Sequence, residues 1–259
     1  MKDVAELAGV SNAAVSRYLN GGYISADKSE RIKQAIQETG YVRSNQARAL
    51  RTGSTKLIGV IVPKINSESV SRITAGIGQV LGRRGYQMLL ANTDNVAERE
   101  LEYLDLFQNQ PVDGIVLVAT MITDEHRAAI ASCRVPIVLI GQNVEGAACV
   151  YHDDYEAAYE LGHALAGRVD GKIAYIGVTE EDRAAGYDRR RGLEAGLLAA
   201  GVALDPNLIR RGSFTLDSGY HAARELLGEV PDVSFIACAT DTMAAGALRA
   251  LDEVRGTGE

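Results

Sequence analysis

The feature that most restricts this chain is an alternation that starts at residue 57 and continues almost to its end. Leu57-Ile58-Gly59-Val60-Ile61-Val62 is a continuous apolar run stopped by Pro63. An apolar run of strand length with no polar alternation reads as a parallel strand buried on both faces. Helices are then predicted over 69–84, 96–108 and 124–133, and strands over 86–91, 114–118 and 137–140. This strict succession predicts a doubly wound α/β sheet. Cys149-Val150-Tyr151 reads as a short crossing strand, after which the alternation restarts. Helices over 155–166, 187–200, 218–228 and 241–254 interleave with strands over 173–177, 208–210 and 233–238. Two consecutive α/β sets joined by crossings make two lobes. Open α/β sheets bind ligands beyond the carboxyl ends of their strands, which between two lobes is the cleft.

The first sixty residues obey a different pattern. Val4, Leu7 and Ala8 share one face of a short helix, and Gly9-Val10 forms a turn. Ser11 is a good N-cap, because its hydroxyl can accept from a free amide of the next helix. In that helix Val15 and Leu19 point inward, with Ala14 and Tyr18 beside them. Asn12, Ala13, Ser16, Arg17 and Asn20 are left on the outer face. A third helix is expected from Ala26 to Thr39, with Ile32, Ala35 and Ile36 as its stripe and Gly40 closing it. Two short helices joined by a tight glycine turn fit helix-turn-helix geometry. There Arg17 can pair bidentately with guanine and Asn12 can read base edges. A plain three-helix bundle with a polar surface satisfies the same periodicity.

Charge bears on that choice. The net charge is −7, which taken whole speaks against nucleic acid. Yet residues 1–56 hold nine Lys and Arg against five Asp and Glu, while the rest of the chain holds 18 against 29. A basic head on an acidic body suits a head that touches a polyanion. The 46% hydrophobic and 24% charged composition is ordinary for a soluble globular protein. No apolar stretch reaches the length of a bilayer span, so no membrane partner is expected. Met1-Lys2-Asp3 leads into an amphipathic pattern rather than a signal peptide. Cys133, Cys149 and Cys238 are odd in number and lack metal-ligand spacing, so a reduced, cytoplasmic protein is expected.

Asp3-Val4-Ala5-Glu6-Leu7-Ala8-Gly9-Val10-Ser11, followed by Ala14-Val15-Ser16-Arg17-Tyr18-Leu19-Asn20, closely resembles the DNA-binding head of the lactose-repressor (LacI/GalR) family. The resemblance implies that the two residues after the serine cap, Asn12 and Ala13, read operator bases, and that Arg17 reads guanine. Ser16 and Asn20 complete that face. Ala14 stands where the family usually has threonine, and an alanine cannot give the hydroxyl contact to phosphate. Tyr41 to Arg51 resembles the family's hinge, with Ala47, Arg48 and Leu50 in place, Arg43 for the usual proline and Ser44 for the asparagine. A helix of about six residues there is far below the ~12–15 at which isolated helices become marginal in water. It should fold only against a partner copy and DNA. The resemblance implies that paired hinges insert Leu50 into the minor groove as an apolar wedge.

Val112-Asp113-Gly114-Ile115, Val135-Pro136-Ile137-Val138 and Asp241-x-Met243-Ala244-x-Gly246-Ala247 are similar to family phrases, so the resemblance covers essentially the whole chain. It implies an all-α helix-turn-helix head plus an α/β, two-lobed, periplasmic-binding-protein-like module. The expected division is 1–44 for the head, 45–56 for the hinge and linker, 57–150 for the first lobe and 151–259 for the second. Three places carry over as effector contacts: Arg189 of Arg189-Arg190-Arg191-Gly192, Phe214 of Gly212-Ser213-Phe214, and the pair Thr240 and Asp241. A guanidinium and a carboxylate grip hydroxyls, and a ring stacks on a sugar's apolar face. Read alone, Asp241 is an ordinary helix cap, Phe214 fits a core, and Arg190 or Arg191 can replace Arg189 if the register slips. From the first lobe, the loop Lys64–Ser69 is expected to face the cleft and offer Asn66, Ser67 and Ser69; the phrase Val62-Pro63-Lys64-Ile65-Asn66-Ser67-Glu68-Ser69 most resembles the sucrose-operon repressor branch, and read alone it is an ordinary helix start.

The four histidines, His126, His152, His163 and His221, are scattered, with no metal spacing, and no nucleophile elbow is present. Asp153-Asp154 reads as a helix start rather than an acid–base dyad. No enzyme, cofactor or metal is therefore expected. Family members continue past the last helix with another strand and a crossing back to the first lobe. Here the sequence stops at Glu259, so a truncated second lobe with an exposed sheet edge is expected. The resemblance implies a homodimeric repressor of a carbohydrate-utilisation operon, bound to double-stranded operator DNA. A sugar or sugar phosphate in the cleft shifts the lobes. Two other readings stay open: a sugar-binding module for transport or sensing, and a purine-type regulator whose ligand strengthens DNA binding.

Overall fold

The computed structural model describes residues 1–41 and 53–256. The chain divides into two compact units, Met1–Thr55 and Lys56–Glu259. The hinge residues Ala47, Arg48 and Leu50 lie outside the described residues.

The first unit holds helices α1 (Lys2–Leu7), α2 (Asn12–Leu19) and α3 (Ala26–Thr39). Val15 and Ile32 are fully buried and meet Val4, Ala5, Ala8 and Ala35 in one core. Burying each large side chain contributes roughly 1.5–3 kcal/mol, a large share for so small a unit. Gly9, with φ +60°, lets the chain turn between α1 and α2 at no steric cost. Ser11 caps α2, its Oγ accepting from the Ala14 amide at 3.2 Å. Gly40 ends α3 in the left-handed conformation.

In the second unit the first lobe contains β1 (Leu57–Val62), α4 (Glu68–Arg83), β2 (Gln87–Asn92), α5 (Ala97–Asn109), β3 (Gly114–Val118), α6 (Asp124–Ala131), β4 (Ile137–Ile140) and β5 (Ala148–Val150). All five strands are parallel, in the order β2-β1-β3-β4-β5. Val60, Ile61 and Val62 are fully buried, as expected for a central strand covered on both faces. Val60 and Val62 pack towards Val70, Ile73 and Ile77 of α4, while Ile61 joins Leu104 and Phe107 of α5. Gly59 is required by that packing, since a Cβ there would lie 2.5 Å from the Phe107 ring.

The second lobe contains α7 (Asp154–Ala166), β6 (Lys172–Gly177), α8 (Arg189–Ala199), β7 (Ile209–Arg211), α9 (Leu216–Glu229), β8 (Val233–Cys238) and α10 (Asp241–Arg255). Its parallel sheet runs β7-β6-β8. Helices pair by backbone contact. A Cβ at Gly192 or Gly196 of α8 would overlap the Tyr155 or Tyr159 carbonyl of α7, and Gly219 of α9 and Gly246 of α10 do the same for their pair.

Two details differ from the expected pattern. The segment read as a crossing strand is the fifth strand of the first sheet, because β4 otherwise offers an unpaired edge; Val138 aligns with Ala148 and Ile140 with Val150. The helix expected from 187 is preceded by a π-helical turn, Arg183–Asp188. Asp182 caps that turn, accepting from the Ala185 amide at 3.0 Å. Gly186 fits against the Thr179 carbonyl, where a side chain has no room. No described helix is long and apolar enough to cross a membrane.

Candidate nucleic-acid interface and ligand cleft

Positions 12, 13, 16, 17 and 20 are spaced by about one helical turn and share one face of α2. Asn12, Ala13, Arg17 and Asn20 are exposed and Ser16 is half-buried. Their availability differs. The Asn20 side-chain amide donates to the Ser16 carbonyl at 2.6 Å, so it is partly committed to ending its own helix. The Arg17 side chain makes no hydrogen bond or ion pair among the described residues. The face therefore offers one uncommitted cation flanked by small and polar groups, which is what a major-groove probe requires.

The second site lies where the lobes face each other. A cavity of about 410 Å3 is lined by Asn66, Ser67, Asn95 and Thr120 from the first lobe and by Phe214, Thr215 and Thr242 from the second. The first-lobe order places its switch point between β1 and β3, and the loops leaving those strands supply Asn66, Ser67 and Thr120. Ser67 is the N-cap of α4 but makes no side-chain cap bond; its Oγ lies 3.1 Å from the Ser69 Oγ. Phe214 has φ +61°, a costly conformation for an aromatic residue. It is held there by the capping box of α9, in which the Ser218 amide donates to Thr215 Oγ1 at 3.1 Å and the Thr215 amide donates to Ser218 Oγ at 3.3 Å, and by the Ser213 amide, which also donates to Ser218 Oγ at 2.9 Å.

The structure gathers Asn66, Ser67 and Phe214 around this cavity. It does not bring Arg189, Thr240 or Asp241 to the same wall. Arg189 Nε donates to Asp154 Oδ1 at 2.7 Å and Nη1 to the Ala239 carbonyl at 2.6 Å. It borders a separate hollow of about 330 Å3 with His152, Tyr175 and Cys238. Thr240 is the N-cap of α10, accepting from the Met243 amide at 3.3 Å, and Asp241 is exposed in its first turn. Arg190 is held by Glu180 and Glu194, and Arg191 by Glu194. Asn95, Thr120, Thr215 and Thr242 were not singled out from the sequence. Each follows the carboxyl end of a strand (β2, β3, β7 and β8), and that placement is the signal that finds them.

Burial pushes the Tyr175 phenol up to about 12 and the Cys238 thiol up to about 11, so both are neutral near pH 7. No group of three His, Cys, Asp or Glu among the described residues is arranged to hold a metal ion. His126 is fully buried in the first lobe, with Nδ1 2.9 Å from Thr123 Oγ1 and Nε2 3.5 Å from Glu100 Oε2. Asp153 caps α7, accepting from the Glu156 amide at 3.0 Å, and Asp154 is the partner of Arg189.

Residues 1–44 match the family described as bacterial regulatory proteins, lacI family. Residues 55–257 match periplasmic binding proteins and sugar binding domain of LacI family. The sucrose operon repressor of Staphylococcus xylosus is 36% identical over 242 residues, covering 93% of this chain and 75% of that protein. A transcriptional regulator CelR–cellobiose complex is 31% identical with a TM-score of 0.69, covering 98% of this chain and 78% of that one. A LacI-family regulator from Silicibacter pomeroyi is 27% identical with a TM-score of 0.80, covering 98% and 77%.

Proposed function

The chain belongs to the LacI family of bacterial regulatory proteins, and from that membership we propose that it represses a carbohydrate-utilisation operon under the control of a small sugar or sugar phosphate. It is a DNA-binding transcriptional regulator with an effector-binding module, and not an enzyme. The observation that carries the reading is the outer face of α2, where Arg17 stands exposed and uncommitted between Ala13 and Asn20. A sugar-binding module for transport explains the two lobes but leaves residues 1–44 without a role.

In this reading the protein is a cytoplasmic homodimer on a pseudo-palindromic operator. Asn12, Ala13 and Arg17 read bases. Residues 45–56 form the hinge, with Leu50 as the minor-groove wedge beside Ala47 and Arg48. The effector sits in the 410 Å3 cavity against Asn66, Ser67 and Phe214. Arg189, Thr240 and Asp241 join it when the lobes change their angle. The relatives named for sucrose and cellobiose support a sugar as the chemical class.

Selection of duplexes from a random pool, followed by a panel of sugars and sugar phosphates added to the selected complex, tests this directly. The expected outcome is a pseudo-palindromic consensus and at least one sugar that shifts its affinity. Recovery of duplexes with no shared sequence would overturn the reading, and the direction of the sugar effect separates release from co-repression.

A further inference from the structure

The two lobes are also joined by a buried polar contact beside the ligand cavity, made by residues that do not line it. Gln142 follows β4 of the first lobe and Asp182 follows β6 of the second; they are 4% exposed each. Gln142 Nε2 donates to Asp182 Oδ1 at 2.8 Å and to the Thr120 carbonyl at 2.6 Å. The same oxygen of Asp182 accepts from the Ala185 amide at 3.0 Å. Beside it, Met121 and Asp182 form an isolated antiparallel bridge, a backbone contact between the lobes.

We propose that Gln142 and Asp182 are a positioning pair, a latch that sets the opening of the ligand cavity by tying the lobes together at one edge. The inference rests on the reading of that cavity as the effector site. Two observations and one physical argument connect the latch to it. Thr120 lines the cavity with the same residue whose carbonyl holds Gln142. Asp182 caps the π-helical turn that runs into Arg189. A buried polar pair also has only two low-energy states, made or fully hydrated, because a half-made one leaves an uncompensated group. An occupant that presses on Thr120 thus acts on the lobe junction and on the start of α8 through two hydrogen bonds. Burial raises the Asp182 carboxyl above its ordinary range, against the pull of Ala185, Gln142 and Arg189. The junction therefore holds a group that loses by staying ionised in place, which suits a contact meant to part.

Hydrogen exchange on the chain alone, with neither DNA nor sugar present, tests the latch. Gln142→Leu removes both donors at similar volume. It should speed exchange at least tenfold in residues 119–123 of one lobe and 180–186 of the other, and leave the centres of both sheets protected. Asp182→Asn keeps an acceptor oxygen and should exchange within about twofold of the parent. If Gln142→Leu does not fold, Gln142→Met, which is unbranched and also lacks the donors, gives the same readout. Acceleration confined to 140–144 would show a local role and overturn the latch, as would no acceleration at all. A chain that fails to select an operator leaves these rates unchanged, so the two failures are distinguishable.

Discussion

Arg17 and Arg189 show how much a residue's meaning depends on what else it touches. On α2 the spacing alone separated the inner residues from the outer ones, because a helix's period is fixed by its backbone. What spacing does not reveal is commitment: the Asn20 side chain donates back to Ser16, whereas the Arg17 side chain donates to nothing described. Arg17→Ala should therefore remove about 1–3 kcal/mol of discrimination between the selected operator and a scrambled duplex. Fluorescence anisotropy at fixed salt reads this as roughly a 5- to 150-fold loss of preference, with salt-sensitive non-specific binding retained; full preference in the variant would remove Arg17 from the readout. Arg189 was legible as an arginine of interest but not as the partner of Asp154, 35 positions earlier, since no local pattern encodes that pairing. Asp154's side chain is only 10% exposed, so Arg189→Ala leaves a nearly buried carboxylate without its partner. A stability loss of about 1–3 kcal/mol in urea is expected. The response to any sugar that shifts the parent's melting temperature should also weaken by roughly ten- to a hundredfold. An unchanged sugar response together with the stability loss would confine Arg189 to holding α7 and α8 together.

At the level of elements, strands and helices were read within one or two residues nearly everywhere, because apolar runs and amphipathic stretches alternate without ambiguity. The exceptions have physical causes. The turn over 183–188 carries Ala184-Ala185-Gly186, which has no periodicity to read, and its π geometry is imposed by the Asp182 cap and the Thr179 carbonyl. The close pairing of α7 with α8 was likewise hidden, since glycines inside a helix read as weak points rather than as contact surfaces. Gly196 tests that contact. A methyl there has no room beside the Tyr159 carbonyl, so the helices must part along their length. Gly196→Ala should destabilise the protein by about 1–3 kcal/mol despite alanine's better helix propensity. Gly228→Ala, in α9 with open space around it, should be neutral or stabilise by up to about 1 kcal/mol. Equal melting shifts for the two variants would mean that α7 and α8 do not depend on backbone contact.

For the molecule as a whole, the restart of the alternation after residue 155 was enough to expect two lobes, and the strand ends enough to place the cleft between them. The junction itself was not legible, because Gln142 and Asp182 are 40 residues apart in loops without a motif. Their contact nonetheless makes lobe association depend on pH in a definite direction. Desolvation raises Asp182's folded pKa, assisted by Asp154, and outweighs the lowering by Ala185, Gln142 and Arg189. A carboxyl raised on folding binds its proton more tightly folded than unfolded. Its contribution to stability is thus fully present below the unfolded pKa of about 3.9 and is lost as pH rises through the folded value. Asp182→Asn keeps an oxygen for Gln142 and Ala185 and cannot ionise. The variant's stability relative to the parent should therefore increase as pH rises from 4 through the folded pKa, then level off. Urea unfolding of both proteins across pH 4 to 7.5 measures the difference, in which groups titrating equally in both cancel. A difference that instead shrinks with rising pH would mean that the hydrogen bonds from Gln142 and Ala185 overcome burial, and that the junction is built to keep its charge.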